Sequence, residues 1–267
     1  MIDKPLFQSL TFHSKAVGNF PIYVHDTKAD SVSTEIRLSG TFEPGSFATI
    51  AQILGEDPEI NVIDVGTNIG VLSVQFAKMG RKVISLEAAI QNIQHYCATL
   101  RKNKLQDKVT VIHNAVMDDH EPVKFILGKG GEFGVSFVDG PGYTENKLAV
   151  SKVKKFDLEH PVIIKSLTLD DLLTLPNINL FKKVFLKLDT EGLEDKVLLG
   201  AKKLFKELDV KGIFMEWRFH KTNADSRRRL LEFMEEHNFA PYNLRGKQRV
   251  LLEIAKLAPH DILWLPK

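Results

Sequence analysis

The chain reads as an α/β protein with a doubly wound, mostly parallel sheet and helices on both faces. Three observations carry that expectation. From about Ile60 onward, short β-branched runs alternate with stretches of helical periodicity. A turn with two glycines joins the first of these strands to its helix. Polar residues then recur at the C-terminal ends of successive strands, the edge at which open α/β sheets bind ligands.

Residues 1–59 lack the alternation and are expected to form an N-terminal elaboration packed on a core of 60–267. Val62-Ile63-Asp64-Val65 reads as the first buried strand, and Val71–Lys78 as an amphipathic helix. Val83–Leu86 is a second strand ending in Glu87, followed by a helix near Ile90–Arg101 and the strand Val109–Ile112. The glycine-rich run Gly128–Gly142 is expected to be an extended loop, before strand character resumes at Val162–Ile164. Thr168–Leu173 reads as a short capped helix. The strand Lys183–Leu188 ends at Asp189-Thr190-Glu191-Gly192, and the next helix aligns Leu193, Val197, Ala201, Leu204 and Leu208 on one face. The strand Gly212–Met215 then ends at Glu216, a helix runs near Ser226–His237, and strand-like segments close the chain at Asp261–Leu265. No internal repeat or low-complexity linker interrupts the series.

Composition excludes several classes. The 267 residues are 43% hydrophobic and 26% charged, ordinary for a globular protein. A net charge of +2, from 36 basic and 34 acidic residues, gives no reason to expect nucleic acid as the main partner. The basic clusters Lys152-Lys154-Lys155 and Arg227-Arg228-Arg229 read as solvated faces. Cys97 is the only cysteine, so an intrachain disulfide and a Cys-rich zinc site are both impossible, and its apolar surroundings suggest a buried structural thiol. No apolar run approaches the ~20 residues that span a bilayer. Asp3, Lys4, His13 and Lys15 break up the first twenty positions, so no signal-peptide core is present and a cytoplasmic location is expected.

The turn Asp64-x-Gly66-Thr67-Asn68-Ile69-Gly70 is the chemical signal. Glycines let the backbone turn sharply and approach a ligand closely, and the helix beyond presents unpaired N–H groups. Glu87 stands 23 residues after Asp64, where nucleotide-binding βαβ units place the acid that accepts from ribose hydroxyls. A dinucleotide fold wants a second glycine where Asn68 stands, to admit the pyrophosphate, and Asp64 would repel that group. S-adenosylmethionine (SAM) has no phosphate, and its ammonium suits acidic surroundings. The loop therefore reads as a SAM site, with NAD a weak second. Asp64/Gly66, Glu87, Asn114, Asp189 and Glu216 follow five successive strands. Each alone could be a cap, a turn or half of an ion pair; their repetition at one edge favours a site.

These residues resemble the FkbM family of class I SAM-dependent methyltransferases. The likeness rests on Val62–Gly70, Asn114-Ala115-Val116, Leu167–Leu172, Leu186–Glu194, Phe214-Met215-Glu216 and the earlier Gly40-Thr41-Phe42-Glu43-Pro44. The run Lys187-x-Asp189-x-Glu191-Gly192 followed by Glu194 is its most specific part. Thr67 departs from the usual alanine, and no proline follows Glu87. The resemblance implies a seven-stranded Rossmann-like methyltransferase sheet and methyl transfer to a hydroxyl oxygen of a small molecule or sugar. It places Asp64, Gly66, Thr67, Asn68 and Gly70 around the methionine end, with Glu43 closing over it. It places Glu87 on the ribose, and Asn114 and Ala115 on the adenine.

An alcohol must lose a proton to attack, so a base is expected. Asp189 is the first candidate, Glu216 the second, and Glu191 and His220 stand at the same edge. No metal ligand set has a diagnostic spacing. Two other classes remain open at this level: a magnesium-dependent O-methyltransferase using carboxylates such as Asp189, and a SAM-binding module without catalysis. Oligomeric state and the identity of the acceptor are not encoded in any motif.

Overall fold

A computed structural model describes residues 7–26, 28, 30–141, 143–150, 156–245, 248–251 and 260–267. Lys152, Lys154 and Lys155 lie outside the described residues. The N-terminal part is a hairpin of β1 (Gln8–Phe12) and β2 (Phe20–Val24) followed by α1 (Ser31–Ser39) and α2 (Pro44–Leu54). Asp30 caps α1 by accepting from the Ser33 amide at 2.7 Å, and Gly40 ends it in the left-handed region at φ 71°. Phe12, Phe20, Ile22, Ile36, Phe47 and Ile50 pack into one apolar cluster with Val62, Val74 and Phe76 of the core.

The core begins with β3 (Ile60–Val65), α3 (Val71–Lys78), β4 (Val83–Glu87), α4 (Ile90–Asn103) and β5 (Val109–His113). An inserted section follows: β6 (Ala115–Val116), β7 (Val123–Ile126), β8 (Phe137–Val138), α5 (Tyr143–Val150), β9 (Val162–Ile164) and β10 (Ser166–Leu167). A 3-10 turn over Leu169–Thr174, closed by a Thr168–Asp171 capping box, is the short capped helix expected there. Then come β11 (Lys183–Leu188), α6 (Glu194–Leu199), α7 (Leu204–Glu207), β12 (Asp209–Glu216), α8 (Ala224–Glu236), β13 (Phe239–Arg245), β14 (Gln248–Leu251) and β15 (Asp261–Pro266).

The main sheet runs β14-β13-β15-β12-β11-β3-β4-β5. The seven strands from β13 to β5 form the expected sheet, and β14 adds an eighth at its edge. Neighbours from β12 to β5 are parallel, while β15 runs antiparallel to both β12 and β13. The chain winds outward through β3, β4 and β5, then returns to lay β11 against β3. That reversal is the switch point at which such sheets open a ligand crevice.

Three local expectations change. The helix expected after Gly192 is broken, because Gly200 packs its bare Cα against the Met117 carbonyl, where a Cβ would collide. Its carbonyl also accepts from the Asp170 amide at 2.9 Å, so the helix stops at Leu199 and restarts as α7. The Gly128–Gly142 run is not wholly loop: β8 lies within it and joins a three-stranded sheet of order β8-β7-β9. Cys97 is half-buried, with burial pushing its thiol up.

Candidate active site

The strand ends at the switch point surround a cavity of ≈ 340 Å³. Glu43, Gly66, Thr67, Asn68, Glu87, Asn114, Ala115, Asp189 and Glu216 all line it. Asp64, Gly70 and His220 do not. Ser31, Phe42, Asn92, Phe125, Lys187, Glu191, Arg218 and the segment 133–138 also contribute to the wall.

The glycine loop is built from inside. Asp64 is buried behind it, its Oδ2 accepting from Thr67 Oγ1 at 3.0 Å and Ser73 Oγ at 2.6 Å. Asp64 thus braces the loop and does not touch the cavity. Gly66, at φ 75°, lacks a Cβ where the Asp189 carbonyl approaches, and Gly70, at φ 80°, lacks one where the Tyr96 ring lies. At both positions a protein neighbour fills the space a Cβ would need, and Gly66 also lines the cavity. Asn68 takes the left-handed conformation at φ 55°, tolerable for asparagine, so it does the conformational work of the missing second glycine.

Glu87, at the end of β4, is almost fully buried. Its Oε1 accepts from the Ala89 amide at 2.8 Å and Asn92 Nδ2 at 3.3 Å, and its Oε2 from the Asn68 amide at 2.8 Å. Burial pushes its pKa up, and these three donors pull it back. A carboxylate has about four acceptor sites, so roughly one, on Oε2, is left for a ribose hydroxyl. Asn114 anchors its side chain on the Lys165 carbonyl at 3.1 Å, and Ala115 is buried beside it.

At β11 and β12 the wall is charged. Lys187 donates to the Gly66 carbonyl at 2.8 Å and stands 3.3 Å from Asp64 and 3.4 Å from Asp189. Burial opposes its charge, but Asp64, Asp189 and Glu43 overcome that and hold the ammonium above its usual range. Asp189, Glu191 and Glu216 bring carboxylate oxygens within 4.8 Å of one another. Lys147 pairs with Glu191, and Arg218 reaches Glu191 at 3.0 Å and Glu216 at 2.6 Å. Glu216 Oε2 is buried with no hydrogen-bond partner among the described residues. Burial first, then Glu191 and Asp189, push Glu216 well up; burial also raises Asp189. The Asp189 side chain keeps 38% of its surface open. Burial and then Asp189 push Glu43 up to about 7, and burial and Asp189 push Asp261 up to about 6. Asp261 faces Glu216 across the β12–β15 ladder.

His220 is corrected as a candidate base. It is fully buried, with Nε2 2.6 Å from Glu194 Oε2 and Nδ1 2.7 Å from Ser226 Oγ. Burial works against the Glu194 charge, but the His220 contact overcomes it and lowers the pKa. Glu194 Oε1 in turn accepts from the Thr190 amide at 2.7 Å, holding the loop that carries Asp189 and Glu191. Of the Arg227–Arg229 cluster, only Arg228 is a solvated face. Arg227 donates to the Lys221 carbonyl at 2.7 Å and Arg229 to buried Asp195 at 2.7 Å. Lys187, Glu191 and Arg218 line the same wall, and a pattern of strand-end acids does not point to the two cations. Lys187 and Glu191 belong to the run Lys187-x-Asp189-x-Glu191-Gly192.

S-adenosylmethionine fits this donor set: Oε2 of Glu87 has capacity for a hydroxyl, and the acidic end beside Glu43 and Asp189 suits an ammonium. Among the described residues, no helix is long and apolar enough to cross a membrane. The chain matches the methyltransferase FkbM domain over residues 64–241, more than half its length. No curated protein matches it. Its shape is similar to a SAM-dependent O-methyltransferase from Thermotoga maritima, at 13% identity over 96% of this chain and 77% of that one, TM-score 0.41. It is also similar to magnesium protoporphyrin IX methyltransferase from Synechocystis, solved with bound SAM, at 10% identity over 91% and 87%, TM-score 0.43. A third likeness is to the 16S rRNA N2 G1207 methyltransferase of T. thermophilus, at 12% identity over 99% and 51%, TM-score 0.46. Their different acceptors are properties of those proteins and carry nothing about chemistry here.

Proposed function

The chain belongs to the FkbM methyltransferase family and is a SAM-dependent methyltransferase, and we propose that its acceptor is a hydroxyl oxygen of a small molecule or sugar. S-adenosylmethionine supplies a methyl group activated by a sulfonium. What remains for the protein is to hold donor and acceptor in line, worth ~7–11 kcal/mol at its best, and to take the hydroxyl proton. Glu87 would hold the ribose, and Asn114 and Ala115 the adenine. Glu43, Thr67 and Asn68 would surround the methionine end.

The observation that carries the acceptor reading is the gathering of Asp189, Glu191 and Glu216, with carboxylate oxygens within 4.8 Å. They sit at β11 and β12, and β12 lies three strand steps from Glu87 on β4, roughly 14 Å across the sheet. Asp189 and Glu216 are both raised, which brings a carboxylate closer to the range where it accepts a proton well at neutral pH. Asp189, the more open of the two, orients the acceptor and takes its proton; Glu216 stands behind it. An acidic wall also disfavours a polyphosphate backbone as acceptor. The three carboxylates could instead hold a metal ion, yet Lys147 and Arg218 already supply counter-charge to two of them.

The test is single-turnover transfer of labelled methyl to a panel of hydroxylated small molecules, sugars and RNA, with the product bond identified by mass spectrometry. A methyl ether on a small acceptor, formed equally well in EDTA, is the expected result. Products on nitrogen or RNA, or loss of transfer in EDTA, would replace this reading.

A further inference from the structure

His25 lies outside the span matched to the family, which begins at residue 64, yet it connects to the cofactor end of the cavity. Its ring is buried, with Nε2 2.8 Å from Asn92 Oδ1. The other end of the same amide, Asn92 Nδ2, donates to Glu87 Oε1 at 3.3 Å. The donation to a carboxylate fixes the amide orientation, because a carboxylate only accepts. Asn92 Oδ1 must then accept, so His25 Nε2 carries the proton in this contact.

Everything around His25 restrains it. Its amide donates to Ser33 Oγ at 3.1 Å, its carbonyl accepts from Arg37 at 2.6 Å, and Ser33 is itself tied to the cap of α1. The ring packs against His95, with centroids 4.1 Å apart, and against Phe133 at 4.8 Å. Phe133 is on the cavity wall, and its neighbour Glu132 accepts from Ser31 on the N-terminal side at 3.1 Å. Among the described residues, His25 is the hydrogen-bond partner of Asn92 Oδ1. Without His25, a buried amide would be left with an unfilled acceptor and freedom to flip, which would turn a lone pair toward Glu87.

We propose that His25 is a positioning residue for cofactor binding: it locks Asn92, which aims the Glu87 carboxylate so that the remaining acceptor site on Oε2 stays open to a ribose hydroxyl. The N-terminal elaboration is then a working part of the cofactor site. The inference rests on the reading of Glu87 as the ribose partner.

Calorimetric titration of the full chain with S-adenosylhomocysteine tests it. His25→Phe keeps the ring packing and removes the donor, and should weaken binding about tenfold, the scale of a lost buried hydrogen bond. His25→Gln retains an N–H donor and should stay within about threefold. In a Glu87→Gln background, His25→Phe should add no further loss, because the group it aims has already changed. Melting temperatures measured alongside identify any variant that fails to fold, and Asn92→Ser then approaches the same relay from its middle. Equal losses for Phe and Gln, no loss for either, or a His25→Phe loss that persists beside Glu87→Gln would each overturn the proposal. If Glu87→Gln alone binds like the parent, the failure lies with the ribose assignment instead.

Discussion

Glu87, which is buried, and Glu216, which is partly buried, both stand at the C-terminal ends of sheet strands on the wall of one cavity, and they are treated in opposite ways. Glu87 is surrounded by neutral N–H donors, from Asn68, Ala89 and Asn92, which draw its pKa back down against burial. Among the described residues, Glu216 pairs with the Arg218 cation and keeps Oε2 without a hydrogen-bond partner. Acidic neighbours push it further up, and Asp261 stands opposite it across the strands, an arrangement that costs stability. The first environment builds a fixed hydrogen-bond acceptor. The second stores charge frustration that a bound ligand or a proton can relieve. On the function proposed above, the first end of the cavity would hold the cofactor and the second would exchange protons.

Asp189→Asn should break the comparison most sharply. The change is nearly isosteric and leaves the backbone contact from the Asp189 amide to the Val65 carbonyl, 3.1 Å, in place. Methyl transfer should fall by about 10²-fold or more, the scale of a lost base or orienting contact. S-adenosylhomocysteine affinity, read by calorimetry, should stay near that of the parent. Should affinity and melting temperature drop together, the Asp189–Lys187 pair is a structural tie and the proton-exchanging end must be reassigned to Glu216.

Glu87→Ala tests the other end. Removing a charged acceptor should weaken S-adenosylhomocysteine binding by about 1.5–3 kcal/mol per hydrogen bond, roughly ten- to hundredfold. Unchanged affinity would mean that ribose is held elsewhere. Because Asn68, Ala89 and Asn92 also lose their acceptor, the melting temperature should fall as well. That second loss is what distinguishes this end from Asp189, where the charge is partly open to the cavity.

The periodicity of the chain made the parallel core legible, since buried strands such as β3 and β11 are continuous apolar runs whose ends are marked by Asp64/Gly66 and Asp189. Strand-end position also found Glu87, Asn114, Asp189 and Glu216, because backbone topology alone decides which edge they occupy. It could not tell which side chains turn inward. Asp64 and Gly70 follow the same strand–turn pattern yet serve the loop, and the reasons are tertiary: Ser73 claims the Asp64 carboxylate, and Tyr96 fills the space beside Gly70. His220 sits a few residues beyond Glu216, but a 3-10 turn over Arg218–Lys221 carries it into the core against Glu194. Likewise Gly200 gave no sign of ending a helix, as its break depends on Met117, a residue far along the chain. His25 was silent for the same reason: its partner Asn92 is 67 residues away.

The smallest expected effect, and the finest probe of the frustrated end, is the pH response of Glu43. Its pKa is pushed from 4.5 up to about 7 by burial, then by Asp189. Below about 4.5 the folded and unfolded chains both carry the proton, so no penalty exists. Between 4.5 and about 7 the unfolded chain ionises first, so ligand-free stability falls as pH rises, and above 7 the penalty is complete. Asp261 adds the same sign at lower pH, between 3.8 and about 6. Glu43→Gln removes the Glu43 part and should raise the ligand-free melting temperature at pH 8 by about 2–4 °C, on the order of 1 kcal/mol, with little change at pH 4.5. Binding should show the opposite ledger. An ammonium beside Glu43 favours its ionised form, so parental affinity for S-adenosylhomocysteine should rise a few-fold between pH 6 and 8, with proton release on binding. The Gln variant should bind more weakly at pH 8 and respond less to pH. A parent whose affinity is flat across this range would show that Glu43 does not face the amino-acid end of the cofactor, whatever its place on the cavity wall.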